Sequence, residues 1–429
     1  MKKVVSIVLS IIAVSLGAQN PAPAPKQVKS VLLMNGFLHI GNGKTIENSL
    51  VGFRNGIIDL VADAMVSKID PSKYDTILQL NGRHIYPAFI APNSTLGLTE
   101  VDAVRATLDF AEVGGYNPHV RSLIAFNTDS KVNSTVRTNG VLYCQVTPRS
   151  GVISGTSSVV SLDAWNWEDA VLRADDGIHL NFPRMQQRSW GNEDQSNQFE
   201  MQMNNLKKFF TDAKGYCEMK NQEEKNLRFE AMRGIFNGSK TLYVHADYAK
   251  ELLCAVNFCE DFSIRKIVLV GAKDAWKITS FLKQHAVPVM INRVHDLPSL
   301  NEDDIDITYK TAWLLQKDSV EFCLQNAGDM EAMNARNLPF LAGTAAAYGL
   351  GKENAIKSIT LSAAKIMGVD SRIGSVETGK MASLFVSDGD ALDMRTNNVR
   401  LAWVEGRQIS LYNSQQHQFE KYKIKYGLK

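Results

Sequence analysis

Paired cysteine motifs, clustered histidines, charge of one sign and a membrane-length apolar run are all missing from this 429-residue chain. Five cysteines (Cys144, Cys217, Cys254, Cys259 and Cys323) show no Cys-x-x-Cys spacing, so a disulfide framework is excluded and they read as small core residues. A net charge of +2 with acids and bases interspersed leaves no nucleic-acid footprint and no polybasic membrane patch. The expected partner is a small-molecule ligand. No two of the eight histidines stand at short spacing, which removes the local His-x-His type of metal motif. The N-terminal apolar run, Val4 to Leu16, is shorter than the ~20 residues a spanning helix needs. Met1-Lys2-Lys3 precedes it and Ser15-Leu-Gly-Ala18-Gln follows, the charged, apolar and small-residue order of an export signal. Residues 1–18 are therefore expected to be a signal peptide, with no transmembrane span and a periplasmic or extracellular destination. Residues 19–27, rich in proline, read as an extended tether.

What is present is ordinary in amount and regular in pattern. With 45% hydrophobic and 21% charged residues, the chain is long enough for a large core. From residue 28 to 85, short β runs are broken by Asn35-Gly36, Asn55-Gly56 and similar turns, and residues 371–412 repeat that texture. The two flanks are expected to form one composite β-sandwich. Between them, residues 86–370 alternate strand-like runs with helical patterns, for example Thr241-Leu-Tyr-Val-His245 before a helix over 247–260, and Lys266-Ile-Val-Leu-Val270 before a helix over 273–285. The expected fold is α/β, a TIM-like (β/α)8 barrel with the flanking sandwich built from both chain ends. A polar stretch over 184–225 reads as a helical insertion, either a cover for one barrel mouth or a solvated decoration, and 413–429 as a basic tail.

Several motifs in order carry a resemblance. They are Tyr86-Pro-Ala-Phe-Ile, Leu96-Gly-Leu98, Tyr243-Val-His245-Ala-Asp247, Asn337-Leu-Pro-Phe340 with Ala345-Ala-Ala-Tyr-Gly349, Ile359-Thr-Leu-Ser-Ala-Ala-Lys365 and Ile373-Gly-Ser-Val-Glu-Thr-Gly-Lys380. Together they resemble the amidohydrolase superfamily, in its imidazolonepropionase-like branch. The resemblance implies hydrolysis of carbon–nitrogen bonds other than peptide bonds, helped by one or two divalent metals such as zinc that acidify a bound water. It also implies a set of ligands at the barrel's C-terminal mouth, and most of these are replaced. Asn93 and Thr95 stand where the family has a histidine pair, Ser161 falls near the place of a bridging lysine, and Gly271 stands for a histidine on the sixth strand. His245 and Asp329 remain, as residual metal candidates and as the candidate catalytic pair.

Two ligands are too few for a catalytic zinc, which takes three protein ligands and a water. No bound metal is therefore expected, and Asn93, Thr95, Ser161 and Gly271 are read as pocket lining. Glu100 joins them as part of an acidic run with Asp102, Asp109 and Glu112, which reads either as a replacement site or as a charged helix pairing Arg105 with Asp109. Two functions stay open. One is a hydrolase with Asp329 as base and His245 orienting the oxyanion; the other is an exported pseudoenzyme that binds a small molecule or pairs, as a homo- or hetero-oligomer, with an intact amidohydrolase. A structural cell-envelope module is a third, weaker reading.

Overall fold

The computed structural model describes residues 22–185, 195–219, 224–328 and 330–428. The signal segment, part of the 184–225 insertion and Asp329 lie outside the described residues. Strands follow in chain order as β1 Val31–His39, β2 Thr45–Arg54, β3 Ile57–Asp63, β4 Thr76–Gln79, β5 His84–Pro87, β6 Phe89–Ser94, β7 Val141–Val146 and β8 Ile153–Ser161. Then come β9 Val171–Asn181, β10 Thr241–Ala246, β11 Ile267–Gly271, β12 Val289–Ile291, β13 Phe322–Leu324, β14 Leu384–Ser387, β15 Val399–Val404 and β16 Arg407–Gln408.

Both chain ends build one sheet, in the order β16-β15-β14-β5-β1-β2-β3, with β4 also on β1. Asn55 and Gly56 take positive φ (51° and 81°), the two-residue turn that a tight β2–β3 hairpin requires. The N-terminal flank is not purely antiparallel, because β4 and β5 both run parallel to β1. Leu33, Val51, Phe53, Ile85, Leu384 and Trp403 bury the inner face, with Phe53 set edge-on to Trp403 at 5.6 Å. Alternation along the strands puts these residues on one side, and each buried side chain contributes about 1.5–3 kcal/mol.

The second sheet runs β6 to β13 in sequence order and is the TIM-like barrel. One strand is reversed: β7–β8 and β8–β9 are antiparallel, whereas the other neighbours are parallel. Only residues 147–152 join β7 to β8, too few for the crossover that parallel neighbours need, so this link must be a hairpin. No ladder joins β13 back to β6 among the described residues. The seam is held instead by Asn93 Nδ2 donating to Gln325 Oε1 and by Ile90 N–H donating to Ile359 O at 2.9 Å. That second bond also accounts for the break between the helices Lys352–Ser358 and Leu361–Ile366. The Ile359 carbonyl is drawn to the barrel, and Thr360 Oγ1 donates to Ile356 O at 2.7 Å.

Helices pack on the outside. Ala249–Asp261 turns Leu252, Ala255, Val256 and Cys259 inward, an i, i+3, i+4, i+7 stripe. The insertion contributes a 24-residue helix, Gln195–Glu218, which buries Leu206, Phe210 and Ala213 and sets Phe210 5.0 Å from Phe258. No described helix is long and apolar enough to cross a membrane. At the barrel floor, Asp163 after β8 is buried between Arg137 and Arg407 and also accepts from Ala24 N–H at 3.1 Å.

Candidate functional site

Five parallel strands, β9 to β13, end at the same mouth, and their last residues together with Asn93 at the end of β6 surround a cavity of about 220 Å³. A larger cavity of about 610 Å³ lies at the floor beside Asp163 and Arg407. Chemistry in this architecture gathers at strand C-termini, so the smaller cavity is the candidate site.

Asn93 sits at positive φ (47°), a conformation that asparagine tolerates because its side chain can bond locally. Its backbone N–H donates to Gln145 Oε1 at 3.0 Å, and Arg149 grips it twice, with Nη1 on Oδ1 and Nη2 on the carbonyl, both at 2.8 Å. Glu331 closes the guanidinium's other edge at 3.0 Å. The place that the resemblance gives to a histidine is thus one arm of a guanidinium fork.

Beneath it lies a polar column inside the barrel. Asp176, 1% exposed, accepts from Tyr243 at 2.6 Å, from Ser157 at 2.7 Å and from Gln145 at 2.8 Å. Burial pushes this carboxyl above the usual carboxylate range, and those three donors pull it back. His179 stacks on the Tyr243 ring at 4.7 Å and shares a hydrogen bond with His245, Nδ1 to Nε2, at 2.9 Å. Burial pulls His245 down to about 3, helped by the positive charge of Arg149, and lowers His179 well below the ordinary imidazole value. Both rings are neutral at physiological pH. His179 Nε2 and Thr95 Oγ1 are buried without a partner.

At the end of β11, Gly271 has φ +92°, and a Cβ there would lie 2.6 Å from Asp247 Oδ1. The missing side chain is the space into which Asp247 folds. Asp247 is half-buried on the cavity wall, and desolvation raises its pKa above the ordinary value.

Of the residues singled out from the sequence, Asn93, His245 and Gly271 meet at this cavity. Thr95 is fully buried and outside the cavity lining. Glu100 also lies outside the lining and accepts instead from Asn127 Nδ2 at 3.0 Å. The acidic run forms only a short turn at Arg105–Thr107, so neither the helix nor its i, i+4 pair is present. Ser161 is at the opposite end of the barrel, because reversal of β8 carries its last residue to the floor, opposite Tyr143. Asp329 lies outside the described residues. Among the described residues, no three histidines, cysteines or carboxylates converge as a metal group would need.

Sequence reasoning missed Arg149, Asp176, His179 and Asp247. His179 had a signal: it stands two residues before the end of β9, as His245 stands one before the end of β10, and parallel neighbours in register bring such ends together.

No curated protein matches this sequence. Residues 243–409 match the Amidohydrolase family model. A solved amidohydrolase from Thermotoga maritima superposes with a TM-score of 0.76 at 24% identity, over 89% of this chain and 99% of its own. An adenosine deaminase from Xanthomonas campestris with bound zinc aligns at 13% identity and a TM-score of 0.55, over 95% of this chain and 99% of its own. Ochratoxinase from A. niger aligns at 12% and 0.54, over 90% and 98%. The matched segment spans the second half of the barrel and its return into the flanking sheet, and the fold along the described chain is the one these solved amidohydrolase structures share.

Proposed function

We propose that the mouth of this barrel binds a small polar molecule without a metal, and that the protein is an exported, non-hydrolytic relative of the amidohydrolases. The observation that carries this reading is Arg149, whose guanidinium holds both oxygens of Asn93 at the first-strand position. The superfamily implies a divalent metal, and the donor set does not fit one. A cation cannot share that space with a fixed guanidinium without strong repulsion. His245 Nε2 and His179 Nδ1 are engaged with each other, and the Asp247 carboxylate folds into the space a side chain at 271 would need. The three neutral or amide groups Asn93, Gln325 and Asn292 add hydrogen-bonding capacity but little affinity for zinc.

Metal-free hydrolysis by His245 is disfavoured by the same geometry. An imidazole with a pKa of about 3 takes a proton from water too weakly to act as an efficient general base near neutral pH. Export rests on the order of residues in the first 18 positions.

Elemental analysis of the purified mature protein, followed by calorimetric titration with zinc and manganese, tests the reading. The expected result is far less than one metal per chain and no tight binding of added metal. One zinc or manganese retained per chain, with amide or cyclic-amide hydrolysis that a chelator abolishes, would overturn it.

A further inference from the structure

Three polar side chains on this cavity make no hydrogen bond or ion pair among the described residues: the carboxylate of Asp247, the exposed guanidinium of Arg184 and the amide of Asn292, with Lys273 and Arg184 acting on the Asp247 charge only from a distance. Other charges around the barrel are paired. Arg149 has Glu331, Asp163 has two arginines, and Lys273, a cation whose charge reaches Asp247 through space, is held by Asp296. Glu251 on the same wall is already engaged, accepting from Met185 N–H at 2.8 Å.

The position of Asp247 is also built. Ala272 N–H donates to Ala246 O at 2.7 Å and Asp274 N–H donates to Asp247 O at 2.9 Å, so the backbone on both sides is fixed. Gly271 then lets the carboxylate lie across the strand end. Holding an ionisable group half-buried and unpaired costs stability, and that cost persists where a ligand recovers it. Arg184 lines both this cavity and an adjoining groove of about 810 Å³ that carries Leu297, Leu300 and Ile305.

The signs decide the ligand class. A simple anion would bind Arg184 but face Asp247, and a simple cation would do the reverse. A molecule carrying both charges a few bonds apart satisfies both, with its remaining acceptor on Asn292. The volume matches, since about 220 Å³ holds roughly seven groups the size of a water at ~30 Å³ each. Building on the metal-free binding reading above, we infer that the cavity recognises the head group of a free α-amino acid or a similar small zwitterion. Its ammonium nitrogen donates to Asp247, its carboxylate accepts from Arg184, and a larger side chain extends past Arg184 into the groove.

The test is calorimetric titration of the full mature protein with the twenty standard α-amino acids, then with the N-acetyl and C-terminal amide forms of whichever binds most tightly. At least one free amino acid is expected to bind, and each end-group modification should weaken it tenfold or more. Asp247→Asn should weaken the free amino acid about tenfold yet leave the N-acetyl form no weaker than in the wild type. Arg184→Gln should do the same for the amide form. Binding indifferent to both modifications, or variants that bind like the wild type, would overturn the assignment. So would a metal-free, folded protein that binds none of the twenty, and this outcome leaves the parent reading standing. A stoichiometric catalytic metal would instead remove the parent reading and this inference together.

Discussion

The floor and the mouth of the barrel both bury charge, and they treat it in opposite ways. At the floor, Asp163 is 2% exposed in its side chain and every strong acceptor on it is used: Arg137 on Oδ1, and Arg407 and Ala24 N–H on Oδ2. Arg407 also donates to Ala24 O at 3.0 Å, so one carboxylate ties together the tether, the barrel and the returning β flank. At the mouth, Asp247 and Arg184 face one cavity and neither makes a hydrogen bond or ion pair among the described residues. Charge closed upon itself holds a fold together; charge left open at strand ends awaits something from outside. Breaking this contrast at its strongest point means removing Asp163. Asp163→Ala leaves two arginines uncompensated, and unfolding in urea should show a loss of about 3–5 kcal/mol. A loss under 1 kcal/mol would mean that the floor is no clamp.

Acid should act chiefly on the mouth. The folded-state pKa of His245 is about 3, against about 6.5 for an unperturbed histidine, so as pH falls the unfolded chain takes up the proton first. Stability that is fully present above about pH 6.5 is then lost progressively toward pH 3, by up to about 1.4 kcal/mol per pH unit for this one group. Unfolding free energies measured at pH 6.5 and 5 should differ by about 2 kcal/mol more in the wild type than in His245→Asn. Equal slopes in the two proteins would show that the histidine is hydrated rather than locked against His179.

The architecture was legible because it rests on period and punctuation. Alternating runs, the Asn55-Gly56 turn and the repeated texture of residues 371–412 all report local backbone physics. The direction of β8 was harder, since it depends on the shortness of the 147–152 link rather than on the strand itself, and with it Ser161 moved from mouth to floor. The site was half legible. Asn93 and Gly271 could be marked as losses by comparison with a motif, but what fills a lost position comes from elsewhere in the chain. Arg149 and Asp247 occupy those vacated places through three-dimensional neighbourhood alone, and an arginine in a turn or an aspartate after a strand carries no such message in one dimension.

The vacated place at 271 offers a smaller and sharper test. Gly271→Ala introduces a Cβ at φ +92° and within 2.6 Å of Asp247 Oδ1. Strained backbone of this kind costs about 1–2 kcal/mol, and the carboxylate must move aside. Thermal unfolding should register that loss without change in the overall circular dichroism. Were the variant as stable as the wild type, Asp247 would not lie across the strand end, and the mouth would lose its fixed acceptor.

The smallest effect carries the opposite sign. Burial raises the pKa of Asp247 above that of an ordinary carboxyl, so between the two values the folded protein binds more protons than the unfolded chain. Stability contributed by the protonated form is therefore lost as pH rises out of the ordinary carboxylate range, about 4, and through the folded value. Asparagine has no such decline. Asp247→Asn should consequently gain on the order of 1 kcal/mol at neutral pH, the size expected when a polar site kept for function is relieved, and the gain should shrink toward pH 4. Asp163→Asn at the floor should lose stability under the same conditions, because there the charge is matched by Arg137 and Arg407. If both substitutions destabilise alike, Asp247 has a partner that holds it in place, and the mouth is as closed as the floor.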